Sequence, residues 1–452
     1  MPLTRAVPLP VFMRVVCQAI YVGAAALTGI LPVAVSKPEA PQSIPAAVPS
    51  GVAQAASIGG TSCKQIGQVR KTSSGSFRCV AIGTQKSWKL VRTTSTTSTT
   101  TTAVPLYTDP TISGAEALLS LSACQIQDVS SDNAMSSGFP RPNWLRSGRG
   151  QVNVLVIPVS FADLPFTSRE VPVLRQAYDQ MSQYFSKMSY GRATVRTTLA
   201  PESTWVTLDG TLEQNQLINS PPQFDASGIF RKAVEIYLRG ASADGYDVVS
   251  VVSAYSLQIY IGQALAARAS KYGTSQNFSG VLMLGGTVNS WEVIAHELGH
   301  AWLGFEDLYL FGGGPRPFRD WDLMSREGAD LSGWSRFLAG WMDPAWVRCA
   351  KPGVRSRHFL SLLNSDSRVD QPRVLVLALS SYASLVVEVR DTGSPCVLVY
   401  QVDTRIHHGQ GPIRTVGEAR QAGVDISSGA FRLSVVGIQR DGAIVEVVST
   451  DS

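Results

Sequence analysis

The sequence predicts an α/β domain built round one buried helix, followed by a small all-β sandwich domain. Three observations lead there. Asn153–Val159 is a continuous apolar run, the texture of a central strand covered on both faces. Strand-like runs then alternate with helical periodicity as far as residue 303, which indicates helices packed on a sheet. Beyond Pro344 the texture changes to short apolar strands with no long helix among them.

At 452 residues the chain has room for two or three domains. A hydrophobic content of 44% with 16% charged residues describes a globular protein. The net charge of +5 is small, no basic run exceeds two residues, and no basic stripe alternates with aromatics. That composition argues against a nucleic-acid partner.

Residues 1–36 read as a signal peptide: Arg5 and Arg14 precede the uncharged stretch Val15–Val35, and Ala34 and Ser36 offer a cleavage site. A secreted protein is the expectation, with an uncleaved anchor as the alternative because the stretch is nearly bilayer-spanning. Residues 37–57 form a Pro/Ala/Ser-rich spacer, and 93–118 a Thr/Ser-rich linker unable to bury a core. Between them, 58–92 hold short β-prone runs and two cysteines, predicting a β hairpin stapled by Cys63 and Cys79. This module resembles small ones in exported actinobacterial proteins, which implies either attachment to a cell surface or cell wall or a spacer role. An oxidising compartment makes disulfides the default. Of the remaining cysteines, Cys124 is expected to pair with Cys349 or Cys396.

In the α/β region, 119–348, helices are expected over Val171–Met188, Ala226–Leu238 and a piece near Gly262–Lys271. Strands are expected over Ala193–Leu199, Tyr246–Val252 and Val281–Leu284. The β region, 349–452, shows strand-like runs at 373–379, 384–390, 396–402, 431–438 and 443–449, with a hairpin turn at Arg440-Asp441-Gly442. Asn277-Phe278-Ser279 is a glycosylation sequon.

The chemistry concentrates in His296-Glu297-Leu298-Gly299-His300. Histidines four apart stand one turn apart on one helix face, where two neutral imidazoles can hold one zinc ion. Glu297 lies beside them and can take a proton from a water that the metal has acidified. Asn289 and Glu292 offer a capping box to start the helix. Gly304 can end it in a left-handed conformation that turns an acid back towards the metal. Two acids compete for the third ligand position, Asp307 and Glu306. His358, His407 and His408 fall in the β region and read as surface residues. Scattered aspartates leave calcium open as a second, structural ion.

The segment Gly304-Phe305-Glu306-Asp307-Leu308-Tyr309 resembles the pattern of the immune inhibitor A-type secreted zinc metalloendopeptidases, which are metzincin-like. Trp321-Asp322-Leu323-Met324-Ser325 resembles their methionine turn, and Leu331–Arg336 with Ala339-Gly340-Trp341 the segment after it. Tyr184-Phe185 and Ser189-Tyr190-Gly191 are similar to their helix-to-strand junction, and Leu385–Arg390 and Val397–Asp403 to strands of their C-terminal domain. The likeness runs from Leu119 to the mid-400s. It implies a metzincin-like fold, endopeptidase activity on proteins or peptides, and a methionine turn in which Met324 supports the site. One residue departs from the pattern. Gly304 comes four after His300 where the family has three, so Asp307 keeps the glycine-to-acid spacing and Glu306 the histidine-to-acid spacing; because the turn after the glycine positions the ligand, the resemblance favours Asp307, with Glu306 as its competitor. Two further functions stay open: a cell-surface binding protein with a structural or vestigial zinc site, and a zinc amidase acting on cell-wall peptides.

Overall fold

The computed structural model describes residues 68–72, 75–82, 85–90, 117–129, 135–143, 145–218, 224–257, 260–265, 278–351, 353–364, 371–429 and 431–449. The expected signal peptide, the spacer 37–57, the linker 93–118 up to residue 116, Cys63 and the sequon's Asn277 lie outside them; Ala117, at the linker's end, is buried and Leu118 bridges to Ala350. The described residues fall into two compact units. One is a meander of β1 (Val69–Thr72), β2 (Gly75–Ile82) and β3 (Gln85–Leu90), a third strand added to the expected hairpin. Cys79 within it is fully buried and disulfide-bonded. Everything from residue 117 onward belongs to the other unit.

That second unit is a mixed α/β structure with few helices and several sheets. In its first sheet β4 (Gly150–Ser160) is flanked in parallel by β5 (Ala193–Leu199) and by β7 (Val248–Val252). Between these come α1 (Val171–Met188), the short β6 (Val206–Thr207) paired to the end of β4, and α2 (Ala226–Tyr237). The sheet ends with β8 (Tyr260–Leu265) and β9 (Ser279–Gly285); β9 is parallel to β7, while β8 pairs antiparallel at the edge. Period-2 alternation explains the apolar run in β4. Val154 and Val156 face a core shared with α1 and the histidine helix, and Leu155 and Ile157 face a core shared with α2. Each such side chain, once buried, contributes about 1.5–3 kcal/mol. The helical piece expected near Gly262 is instead strand β8; the residues after Leu265 up to 277 lie outside the described set. Gln263-Ala264-Leu265 has helix-forming composition, but pairing with β9 across six residue partners outweighs so weak a local preference.

The histidine helix, α3 (Trp291–Leu303), is buried from Val293 to its end. The short α4 (Gly333–Leu338) follows the loop that carries Met324. The β region then opens with β10 (Val347–Ala350), β11 (Ser356–Ser361), β12 (Val374–Ala378), β13 (Ala383–Asp391) and β14 (Pro395–Asp403). It closes with β15 (Ile413–Ala419), β16 (Asp425–Ser428), β17 (Phe431–Gln439) and β18 (Gly442–Ser449). These make two sheets, ordered β10-β12-β13-β14-β15 and β11-β18-β17-β16. Leu375, Val387, Val397 and Val399 of the first sheet pack with Leu433, Val435 and Val445 of the second. The opposite face of the first sheet, with Val374, Val376, Val386, Leu398 and Tyr400, joins the core around α3. Covered on both faces, its strands are apolar at nearly every position.

Polar links reinforce that junction. Glu388, fully buried on β13, accepts hydrogen bonds from Gly333 N (2.7 Å), Tyr400 Oη (2.8 Å) and Arg390 Nη1 (2.9 Å). Arg390 in turn donates to the carbonyls of Leu331 (3.1 Å) and Trp321 (3.0 Å). A buried ion pair survives only with such further bonds, because desolvation costs several kcal/mol per charge. The segment before β4 is stitched in as well: Trp302, Trp334 and Trp341 donate indole N–H groups to the carbonyls of Ser147, Ser137 and Gly148. Cys124 is bonded to Cys349 across 225 residues, which leaves Cys396 as a buried free thiol. In a chain-entropy account a bond closing so long a loop stabilises by roughly 3–5 kcal/mol. Cys349→Ser should therefore lower the free energy of urea unfolding by that amount relative to the oxidised parent. Identical unfolding curves would show that the bond contributes nothing.

Candidate metal centre

The site is built from the two ends of α3. Ser290 caps its start, the side chain accepting from Val293 N (3.4 Å), so the cap is one residue later than the Asn289 expected from sequence. Glu292 still takes part, accepting from Ser290 Oγ (2.9 Å). At the far end Gly304 adopts the left-handed conformation, φ 60° and ψ 32°, where a side chain would be strained. Its N–H donates to His300 O (3.0 Å) and that of Phe305 to Gly299 O (3.2 Å), which reverses the chain.

The reversal fixes both histidines. His300 Nδ1 donates to Phe305 O (2.6 Å), and His296 Nδ1 donates to Leu323 O (3.1 Å). A carbonyl can only accept, so the hydrogen of each neutral ring sits on Nδ1 and each Nε2 presents a lone pair. The two Nε2 atoms are 3.1 Å apart, and Asp307 Oδ1 is 3.1 Å from both. With both rings neutral, three acceptors face one another with no donor among them, and they repel unless a proton or a metal ion lies between. The group could therefore hold a metal ion, and among the described residues it is the only cluster of three or more His, Cys, Asp or Glu that could.

The electrostatics agree. Burial by itself would pull the His296 imidazole down, but Asp307 and Glu297 outweigh it and push its pKa up to about 10. Burial would likewise raise the Asp307 carboxyl, yet His300 and His296 hold it well below the usual carboxylate range. The cluster seeks positive charge, and a proton and a metal ion compete for it.

Glu306 turns the other way. It is buried against the segment before β4, accepts a short hydrogen bond from Ser137 Oγ, and is pushed up to about 7 by burial. Of the two competing acids, the structure brings Asp307 to the histidines and not Glu306. The turn after Gly304 sets this, since it aims successive residues to opposite sides.

Glu297, 4% exposed, has its pKa raised chiefly by burial. One contact comes from the edge strand β8, where Ala264 N–H donates to its carboxylate. Its Oε2 is buried without a partner. Gly262 on the same strand leaves room for it, because a Cβ there would stand 2.8 Å from Glu297 Oε1 and 2.9 Å from Val293. Met324 lies under the helix between the histidines, its Sδ 3.0 Å from where a Gly299 Cβ would be. That contact accounts for a glycine inside α3, which otherwise costs about 1 kcal/mol. Asp322 fixes the turn by accepting from Met324 N (2.9 Å), Ser332 N (2.8 Å) and Ser335 Oγ (2.7 Å).

Of the histidines read as surface residues, His407 is exposed. His358 is buried, its Nε2 2.9 Å from Ser356 Oγ and its pKa lowered to about 4, chiefly by burial. His408 is half-buried and belongs to a loop touching the Asp307 segment. Sequence reasoning also missed Gly262 and Ala264; the Tyr260-Ile261 pair ahead of them was the available strand signal.

Neither models of known families nor curated proteins give any match to this chain.

Two substitution tests follow from the geometry. Asp307→Asn should lower metal affinity by at least tenfold, whereas Glu306→Gln should leave metal content unchanged; elemental analysis after dialysis decides, and loss in Glu306→Gln alone would reverse the assignment. Gly262→Ala should disturb Glu297 without removing a ligand. Metal should stay bound while the function that depends on Glu297 falls about tenfold or more, and an unaffected variant would show that β8 does not position the carboxylate.

Proposed function

We propose that this chain is a secreted zinc-dependent metalloendopeptidase of the immune inhibitor A type, with a metzincin-like catalytic region. The observation that carries the reading is a single arrangement. Three inward-facing acceptors of His296, His300 and Asp307 lie beside a buried carboxylate, Glu297, that has one oxygen unpaired. Their 3.1 Å separations suit zinc, since ligand atoms at zinc–nitrogen and zinc–oxygen distances around a tetrahedral ion are roughly 3.3 Å apart.

Bound there, zinc would supply a Lewis acid that lowers the pKa of water to about 7 and polarises a carbonyl. The residues do the rest. Glu297 takes the proton from the attacking water and passes it to the departing amine nitrogen. Its burial favours that cycle, because a raised pKa makes the carboxylate a stronger base and keeps the proton in place until transfer. Ala264 N–H and the space at Gly262 hold the carboxylate in position. Phe305 O and Leu323 O keep both imidazoles in the tautomer that binds metal. Met324 supports the floor from below. β8 is an edge strand, to which an extended peptide can add through its main chain, and this favours a peptide substrate.

Export would bring the enzyme to proteins outside the cell, with β1–β3 as an attachment module at the cell surface or wall. No helix among the described residues is long and apolar enough to cross a membrane. The burial of all four site residues would also suit a structural zinc ion in a surface-binding protein. One set of assays separates these readings and the wall-peptide amidase. The purified chain should contain one zinc and cleave casein, lose that activity to a chelator, and leave peptidoglycan fragments intact. Glu297→Gln should keep the zinc and lose activity by about a hundredfold or more. Near-normal cleavage by that variant, or zinc without any cleavage, would sink the proposal.

A further inference from the structure

The loop between β14 and β15 comes from the C-terminal sheet, yet it is fastened to the residue that completes the metal centre. Gly409 N–H donates to Asp307 O (3.0 Å), Phe311 N–H donates to Gly409 O (2.9 Å), and Leu310 and Gln410 form an antiparallel bridge. Two left-handed glycines permit so close an approach. A Cβ on Gly409 (φ 69°) would stand 2.3 Å from the Phe311 ring, and one on Gly411 (φ 72°) 2.6 Å from Pro317.

This fastening carries His408 to the site. Its ring stands edge-on to Phe311, centroids 5.2 Å apart; Phe311 lies 5.8 Å from Tyr309, whose ring is 6.2 Å from that of His296. Asp307 and His300 both act electrostatically on His408. It is not a fourth member of the metal-holding group. Among the described residues its Nδ1 is buried and has no hydrogen-bond partner. A buried polar atom left unpaired costs about 1–3 kcal/mol, and most such atoms in proteins have a partner. Phe311 beside it is 46% exposed, so the pair borders a face open to an incoming chain.

We propose that His408 is a further substrate-contacting residue: with its buried Nδ1 left as an unpaired acceptor, the neutral ring carries its hydrogen on Nε2, the nitrogen that is not buried, and donates it to a main-chain carbonyl of the bound peptide beside the scissile bond. This rests on the endopeptidase reading. Burial favours the neutral ring, and a neutral ring carries one N–H that can serve as donor without bringing a second positive charge to a metal site. The contact also gives the C-terminal sheet a part in the chemistry as well as in the packing.

The test compares His408→Phe, which keeps an aromatic ring against Phe311 but has no donor, with His408→Gln, which retains one. His408→Phe should lower kcat/KM for a peptide substrate about tenfold to a hundredfold, with zinc content and Tm unchanged, and His408→Gln should recover part of it. Independently of turnover, an uncleaved peptide should bind Glu297→Gln more tightly than it binds the Glu297→Gln, His408→Phe double variant. Unchanged kcat/KM and peptide affinity would overturn the proposal, as would loss of zinc or of folding in both His408 variants. If the parent cleaves no peptide, the endopeptidase reading fails on its own. The peptide-affinity comparison still decides for or against a contact at His408.

Discussion

Everything at the centre of this molecule depends on three acceptor atoms being held face to face. Two imidazole nitrogens and a carboxylate oxygen at 3.1 Å would move apart if they were free to do so. They are not free. Each ring is tied through its other nitrogen to a carbonyl, and those carbonyls belong to Phe305, just past the left-handed Gly304, and to Leu323, in the turn that places Met324. Asp307 sits on the strand of chain between these two anchors. Removing any one anchor would loosen a ring, and with it the lone pair that makes the group attractive to a cation.

The anchors are themselves supported from far away in sequence. The turn carrying Leu323 is fixed by Asp322, whose partners include Ser332 and Ser335 at the start of α4. The same helix start is bonded to Glu388 and Tyr400 of the C-terminal sheet. That sheet shares its apolar face with α3 and lends the loop that touches Asp307. The C-terminal strands are therefore part of the framework of the candidate metal centre. The segment before β4 plays a similar role on the other side, where Ser136 N–H donates to Gly304 O (2.8 Å) and Cys124 is bonded to Cys349.

What could be read in advance follows from how local each signal is. The face of α1 was legible residue by residue: Leu174, Ala177, Tyr178, Met181, Tyr184 and Phe185 recur at helical spacing, and all are buried. The histidine pair and the glycine stop were legible because a helix's own geometry sets them. β8 was not, since its composition favours helix and only its pairing with β9 makes it a strand. Nor were β10, β11, β15 and β16, which are short or polar on alternate positions and gain their order from neighbouring strands. His408 had no local signal at all, for its place depends on a loop closing on residues about a hundred positions earlier.

The sequence by itself determined that two imidazoles and a neighbouring carboxylate share one face and one end of a buried helix, because i, i+4 spacing and a left-handed glycine are properties of a few adjacent residues. It favoured Asp307 over Glu306 only by the spacing from Gly304, since both acids lie within reach of a turned chain. Only the tertiary structure decided between them. Glu306 finds a donor in Ser137 on one side of the turn, while Asp307 is directed to the other side, where two imidazoles offset the cost of burying its charge.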